Sequence, residues 1–181
     1  MNRVQFQSVD LLPVFGKPIY IQQCESQQGT KQHANAILVD NETGKSVNNN
    51  VATKQVAWKT LIYSQLELMS GLVGLNTQLT LTESYVNRLK QGQSLHLLPN
   101  YDNIFTGVYF IDNPESSMTF FDNSEQWFTG KDLEFSNQNL LNSNEFKFTP
   151  MEGNFCVYPS SMALDIEKMG ANGSILEFYL K

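Results

Sequence analysis

The chain has 181 residues, a formal charge of -6 and a pI near 4.8. That balance argues against a nucleic-acid binder, because phosphate neutralisation by Lys and Arg supplies most of such affinity. No apolar run approaches the roughly 20 residues that a membrane-spanning helix needs, and Met1 to Gln7 lead into no apolar signal core, so a soluble protein not exported by Sec is expected. The length suits one domain, 1–181, able to bury roughly 70% of the surface its unfolded form exposes. Cys24 and Cys156 stand far apart and make no disulfide framework, so both read as small buried residues. Asn and Gln together number 32 while charged residues are sparse. Amides hydrogen-bond at an interface without the desolvation cost of charges, so this surface suits packing against protein neighbours. A codon bias of the source genome would give the same composition.

The opening stretch, 9–21, is β-branched and aromatic but punctuated by Pro13 and Pro18. Proline cannot donate to a ladder, which predicts an edge strand or extended entry. Residues 25–33 are polar and read as a loop, 36–39 as a short strand, and Asp40 to Gly44 as a tight turn. From Lys54 the period becomes helical, with Trp58, Leu61, Ile62, Leu66 and Met69 at three- and four-residue steps. Thr53 is the candidate N-cap, and Gly71 and Gly74 mark the end. Beyond Leu75 come short β-like runs at 78–81, 85–89, 107–111, 118–121, 146–148, 155–158 and 175–180, with Asn, Gly and Pro between them. Short strands at such intervals predict an antiparallel sandwich or barrel. The amide-rich stretch 124–143 reads as a long surface loop. The expected class is mainly β: an extended segment over 1–50, a packing helix over 54–73 and a β core over 75–181.

Three blocks resemble the Fe(II)/2-oxoglutarate oxygenases, whose fold is a double-stranded β-helix of the jelly-roll or cupin-like kind. Leu12 to Tyr20 is similar to that family's opening strand, where a Phe precedes a Pro-aliphatic-aromatic step. Tyr85-Val-Asn87, the Gly92 turn, Thr106-Gly-Val-Tyr-Phe-Ile111 and Met118 to Asp122 follow its order of an aromatic-x-Asn strand, a turn, an iron-binding His-x-His or His-x-Asp, and a Gly-Val-Tyr strand. Pro150 to Ser160 resembles its Pro-x-x-Gly turn and Val-x-Phe-Pro-Ser strand.

The resemblance implies an iron triad and a co-substrate clamp, and this sequence departs from it at each. Two imidazoles and a carboxylate, or three imidazoles, must sit facially on Fe(II) with open positions beside them. Counted from Thr106, the first two ligand positions fall on Leu98 and Asn100; counted from Pro159, the distal His position falls on Leu164. Leu has no lone pair, and an Asn amide is a poor iron ligand. The family grips the co-substrate's far carboxylate with an Arg or Lys on its last strand, yet 173–179 contains no cation. Losing such a charge-assisted contact costs roughly 1.5–3 kcal/mol. The whole chain holds only Arg3, Arg88, His33 and His96.

Other chemistry is no better provided for. His96, Leu98, Asn100 and Asp102 would share a face of a straight strand, but His96 and Asp102 would then lie about 20 Å apart, too far for one metal. Asp165, one residue past Leu164, should face the other way. Pro159-Ser-Ser161 lacks the glycines of a nucleophile elbow. Gly71-Leu-Val-Gly74 has neither the position nor the Lys of a phosphate loop. The aromatics Tyr101, Tyr109, Phe110, Phe120, Phe121, Trp127 and Phe128 suit a core better than a pocket.

The sequence therefore predicts an oxygenase-like domain without metal or cofactor, used as a structural or interaction module with protein partners or further copies of itself, and with no nucleic acid or membrane partner. Members of the resembling family also occur among phage tail and neck genes, which implies a virion component; otherwise a cytoplasmic location is expected. Two alternatives stand beside it: a divergent oxygenase, and a cupin-like binder with a pocket lined by Leu98, Leu164 and nearby aromatics.

Overall fold

The computed structural model describes residues 10–14, 17–24, 28–122 and 145–181. Its strands are β1 (Asp10–Val14), β2 (Lys17–Gln23), β3 (Leu81–Leu89), β4 (Leu95–Leu97), β5 (Phe105–Phe110), β6 (Met118–Asp122), β7 (Glu145–Phe148), β8 (Asn154–Pro159), β9 (Met162–Ile166) and β10 (Gly173–Leu180). They form a six-stranded sheet in the order β1-β2-β8-β5-β10-β3 and a four-stranded sheet in the order β4-β9-β6-β7. Every neighbouring pair is antiparallel. From β3 to β10 the chain crosses repeatedly between the sheets, which is the winding of a double-stranded β-helix. The strands around the core read as nearly continuous apolar runs because both faces of the larger sheet are covered. One face of β10, with Ile175, Glu177 and Tyr179, turns toward the smaller sheet, and Leu176, Phe178 and Leu180 turn outward.

That outward face is covered by α3 (Val56–Val73), which buries Trp58, Leu61, Ile62, Leu66 and Met69. They pack on Tyr20, Val86, Tyr109, Phe155 and Phe178. The helix ends where expected, at Gly74, whose left-handed backbone returns its N–H to the Ser70 carbonyl. Its start differs from the expectation. Gln55 is extended, with φ -110 and ψ 109, so 51–54 forms a separate turn, α2 (Val51–Lys54), and Thr53 is no N-cap of the main helix. Its hydroxyl instead donates to the Asn50 carbonyl.

A second difference is α1 (Gln28–Ala36), a helix where the polar sequence suggested a loop. Tertiary contacts explain it: Thr30 and Ala34 are buried, Lys31 pairs with Glu152 at 2.7 Å, and the Arg88 guanidinium donates to the carbonyls of Ala34 and Ile37 at the helix end. The strand expected at 36–39 shrinks to a single bridge between Val39 and Ser46. The turn at 40–44 is present, with the Asp40 carboxylate accepting from the Glu42 N–H and Gly44 at φ 70. The expected 78–81 strand contributes only its last residue, Leu81, to β3. Two strands were not foreseen. β4 is three residues long, and β9 follows β8 after two residues, so neither is separated from its surroundings by pattern. The loop expected at 124–143 lies outside the described residues.

Gly107 on β5 faces α3, and a Cβ there would lie 2.0 Å from Cζ of Phe178, which is fully buried and stacked on Phe155 at 5.2 Å. The ring has nowhere to go, so Gly107→Ala should cost about 2 kcal/mol through overpacking. Calorimetry should show Tm lower by roughly 4–8 °C for a chain of this size. An unchanged Tm would mean that the layer under α3 has spare room.

Candidate functional site

The family's iron and co-substrate would lie between the two sheets, so the inward residues decide what the protein can hold there. On the smaller sheet a register row runs Leu97, Leu164, Phe120, Phe146, and the next runs Leu95, Ile166, Met118, Phe148. Leu164 and Phe120 are fully buried, and Leu97 and Phe146 nearly so. The larger sheet answers with Ile19, Ile21, Val108, Phe110, Cys156, Tyr158 and Ile175, and these side chains form one continuous cluster with the smaller sheet. Phe120 sits at its centre, edge-on to Tyr158 at 5.0 Å and stacked with Phe146 and Phe148 at 6.2 Å.

The three positions inferred for the ligands part company. Leu164 is inward, but β4 ends at Leu97, and Leu98 points away with 79% of its surface exposed. The residue beside Leu164 in the register is Leu97. Asn100 sits in the following turn, its N–H donating to the Ser160 carbonyl and its Oδ1 accepting from the Asp102 N–H. Leu98 and Leu164 therefore line no common pocket. The straight strand through His96 and Asp102 does not form either. His96 is on the outer face, where Nδ1 lies 2.9 Å from Oδ1 of Asp165, the residue expected to face away from Leu164. This pair and Ser94, Ser117 and Glu167 border an open groove of about 750 Å³. Among the described residues no group of three or more His, Cys, Asp and Glu side chains could hold a metal ion.

No protein-family model matches the sequence, and no curated protein matches it. Solved structures do. A viral collagen prolyl hydroxylase from Paramecium Bursaria Chlorella virus-1 aligns over 97% of this chain and 96% of its own, with TM-score 0.53 and 11% identity. The fold is that of the Fe(II)/2-oxoglutarate oxygenases. An oxidoreductase of the 2OG-Fe(II) oxygenase family from Burkholderia pseudomallei matches over 96% of this chain and 72% of its own, with TM-score 0.51 and 13% identity. The α-ketoglutarate-dependent carbocyclase SnoK of nogalamycin biosynthesis covers 90% of this chain and 80% of its own, with TM-score 0.57 and 9% identity. At such identities the likeness is one of fold, and the residues inside must speak for themselves.

Among the described residues they do not fit iron with 2-oxoglutarate: the Leu97, Leu164, Phe120 row offers no donor atom, and the inward face of β10 carries Glu177 and no cation. Two lysines reach buried carboxylates that sequence reasoning missed: Lys17 of β2 pairs with Asp122 of β6 at 2.8 Å, and Lys45 pairs with Glu177. Lys45 belongs to the segment that runs along the free edge of β3, where it bridges to Asn87. Its ammonium lies 2.9 and 3.2 Å from the two oxygens of Glu177 and 3.9 Å from the centroid of the Tyr85 ring. Asn87 Nδ2 donates to Glu177 Oε2 at 2.7 Å, and the Tyr179 hydroxyl donates to Oε1. Glu177 is fully buried and Asn87 is 2% exposed. A dicarboxylate entering here would meet a buried carboxylate whose cation is already taken, and like charges at short range in a dry interior repel strongly. Burial pushes the Tyr158 hydroxyl well above its usual pKa, the Glu177 charge adding to the effect, and that hydroxyl has no hydrogen-bond partner among the described residues.

Proposed function

We propose that this chain is a non-catalytic protein built on the oxygenase fold, serving as a structural or interaction module in a protein assembly, with the tail or neck of a virion as the setting. The observation that carries the reading is the row Leu97, Leu164, Phe120: buried aliphatic and aromatic side chains, among them the residue that the sequence resemblance puts at the distal ligand position. The amide-rich, weakly charged composition supports an assembly role. Leu98 and Tyr101, each 79% exposed on the β4–β5 connection, are the side chains such a contact would use. A divergent oxygenase is the second reading, favoured by the fold alone.

Anaerobic calorimetric titration of the metal-stripped protein with Fe(II), then with 2-oxoglutarate, decides between them. No heat of binding is expected for either. Micromolar binding of both would restore the oxygenase reading. Light scattering on the same preparation addresses the assembly role, since a strictly monomeric, non-associating protein counts against it.

A further inference from the structure

At the edge of the larger sheet Lys45, whose side chain is 36% exposed, brings its amine to the buried carboxamide of Asn87 and the buried carboxylate of Glu177. We propose that Lys45 and Asn87 become joined by an isopeptide bond, formed by the chain on itself with Glu177 as the proton carrier. Lys45 and Asn87 are direct cross-strand neighbours in an antiparallel bridge, so their Cβ atoms start about 4.5–5.5 Å apart. The same oxygen, Glu177 Oε2, lies 3.2 Å from Lys45 Nζ and 2.7 Å from Asn87 Nδ2. The attacking nitrogen and the leaving nitrogen are thus both within a hydrogen bond of one carboxylate.

The chemistry balances with these three groups alone. The Lys45 ammonium passes a proton to Glu177 and becomes a neutral amine. Nζ then attacks Cγ of Asn87, and the Nζ–Cγ bond forms. Glu177 gives its proton to Nδ2, the Cγ–Nδ2 bond breaks, and ammonia departs. The proton still in excess on the new amide returns through Glu177 and leaves with the ammonia as ammonium. Lysine and carboxamide become a secondary amide plus ammonium, with no oxidant, metal or co-reactant.

The surroundings favour each step. Glu177 is fully buried and Asn87 nearly so. The Lys45 ammonium lies within hydrogen-bond reach of both Glu177 oxygens, so the proton transfer that frees the amine needs no rearrangement. Tyr85 and Tyr179, edge to face with centroids 6.5 Å apart, wall the site, and the Tyr179 hydroxyl holds the far oxygen of Glu177 in place. Fixed groups of this kind turn an otherwise unmeasurably slow aminolysis into a unimolecular step of high effective concentration. The product ties the segment before α2 to β3 and closes the free edge of the larger sheet, independently of whether the protein binds iron.

Intact-mass spectrometry of the folded full-length protein, followed by tryptic mapping, tests this. The expected mass is that of the sequence less one ammonia. Trypsin should fail after Lys45 and release a branched peptide in which residues 32–54 are linked to residues 60–88. A protein with the full sequence mass and the separate linear peptides 32–45, 46–54 and 60–88 overturns the proposal without recourse to any variant. Loss of ammonia by cyclisation at Asn87 would give the same mass but no branched peptide, and it would persist in Lys45→Arg; that outcome also overturns it. Glu177→Gln should restore the full mass, and a branched peptide surviving in this variant would remove Glu177 from the mechanism.

Discussion

Leu164→His should destabilise the protein by about 4 kcal/mol and still bind no iron. The substitution places on β9 the imidazole that the oxygenase pattern expects, so it asks directly whether the interior is a vacated site or a filled core. Leu164 is fully buried between Leu97 and Phe120 in the register. Removing a buried leucine costs roughly 2–5 kcal/mol, and an imidazole there would leave at least one ring nitrogen unpaired at a further 1–3 kcal/mol. Relaxation of neighbouring side chains offsets part of that sum. Leu164→Met, which conserves volume, should cost less than about 1.5 kcal/mol. Urea unfolding of the two variants beside the parent measures both. A loss under about 1 kcal/mol for the histidine variant would mean that room remains between the sheets, and would favour a ligand-holding cavity over a packed core.

Much of the fold was legible because its signals are local. The helical period from Trp58 to Met69 survives as the buried stripe of α3, and Gly74 ends the helix as a left-handed C-cap. The runs at 107–111, 118–121, 146–148, 155–158 and 175–180 became β5, β6, β7, β8 and β10 within a residue or two. What the sequence hid depends on partners distant along the chain. The helix α1 is held by Arg88, 54 residues away from Ala34, and no pattern within 28–36 announces it. Register is the other hidden quantity. Counting from Thr106 selected Leu98 as the first ligand position, but β4 stops one residue earlier, and a single step reverses which side chain faces inward. Leu97, and not Leu98, is therefore the residue that stands beside Leu164 in the register.

The Lys45–Glu177 pair was hidden for the same reason. Lys45 stands in a polar turn sequence and 132 residues from Glu177, its ion-pair partner. Glu177 stands in a strand that the sequence marked only by its lack of a cation. Only the pairing of β3 with β10, and of the 45–50 segment with β3, shows that lysine, asparagine and glutamate meet. The larger sheet thus has the architecture of the oxygenase fold, and its inward face carries a buried carboxylate held by Lys45, Asn87 and Tyr179.

A steep loss of stability in alkali follows from the same burial. Tyr158, Tyr179 and Tyr109 are all raised above their ordinary value, with burial the largest cause in each case, and Tyr20 is pushed up to about 12. Burial likewise pushes Cys24 up to about 11 and Cys156 further still. A group whose folded pKa lies above its unfolded one binds its proton more tightly in the native state. Its contribution is therefore complete below the unfolded pKa and is lost as pH rises from there through the folded value. For the thiols that window opens near pH 9, and for the tyrosines near pH 10. Each group that stays neutral when folded and ionises when unfolded removes roughly 1.4 kcal/mol per pH unit, so Tyr158 and Cys156 together should remove close to 3. Urea unfolding between about pH 8 and pH 11 should show stability flat at first and then falling with increasing slope. Tyr158→Phe should make that slope shallower by one group's share. Because the Tyr158 hydroxyl has no partner among the described residues, the same variant should match or exceed the parent's stability at neutral pH. Unchanged stability up to pH 11 would mean that these phenols and thiols reach solvent in the folded protein, and the packed interior on which the non-catalytic reading rests would have to be given up.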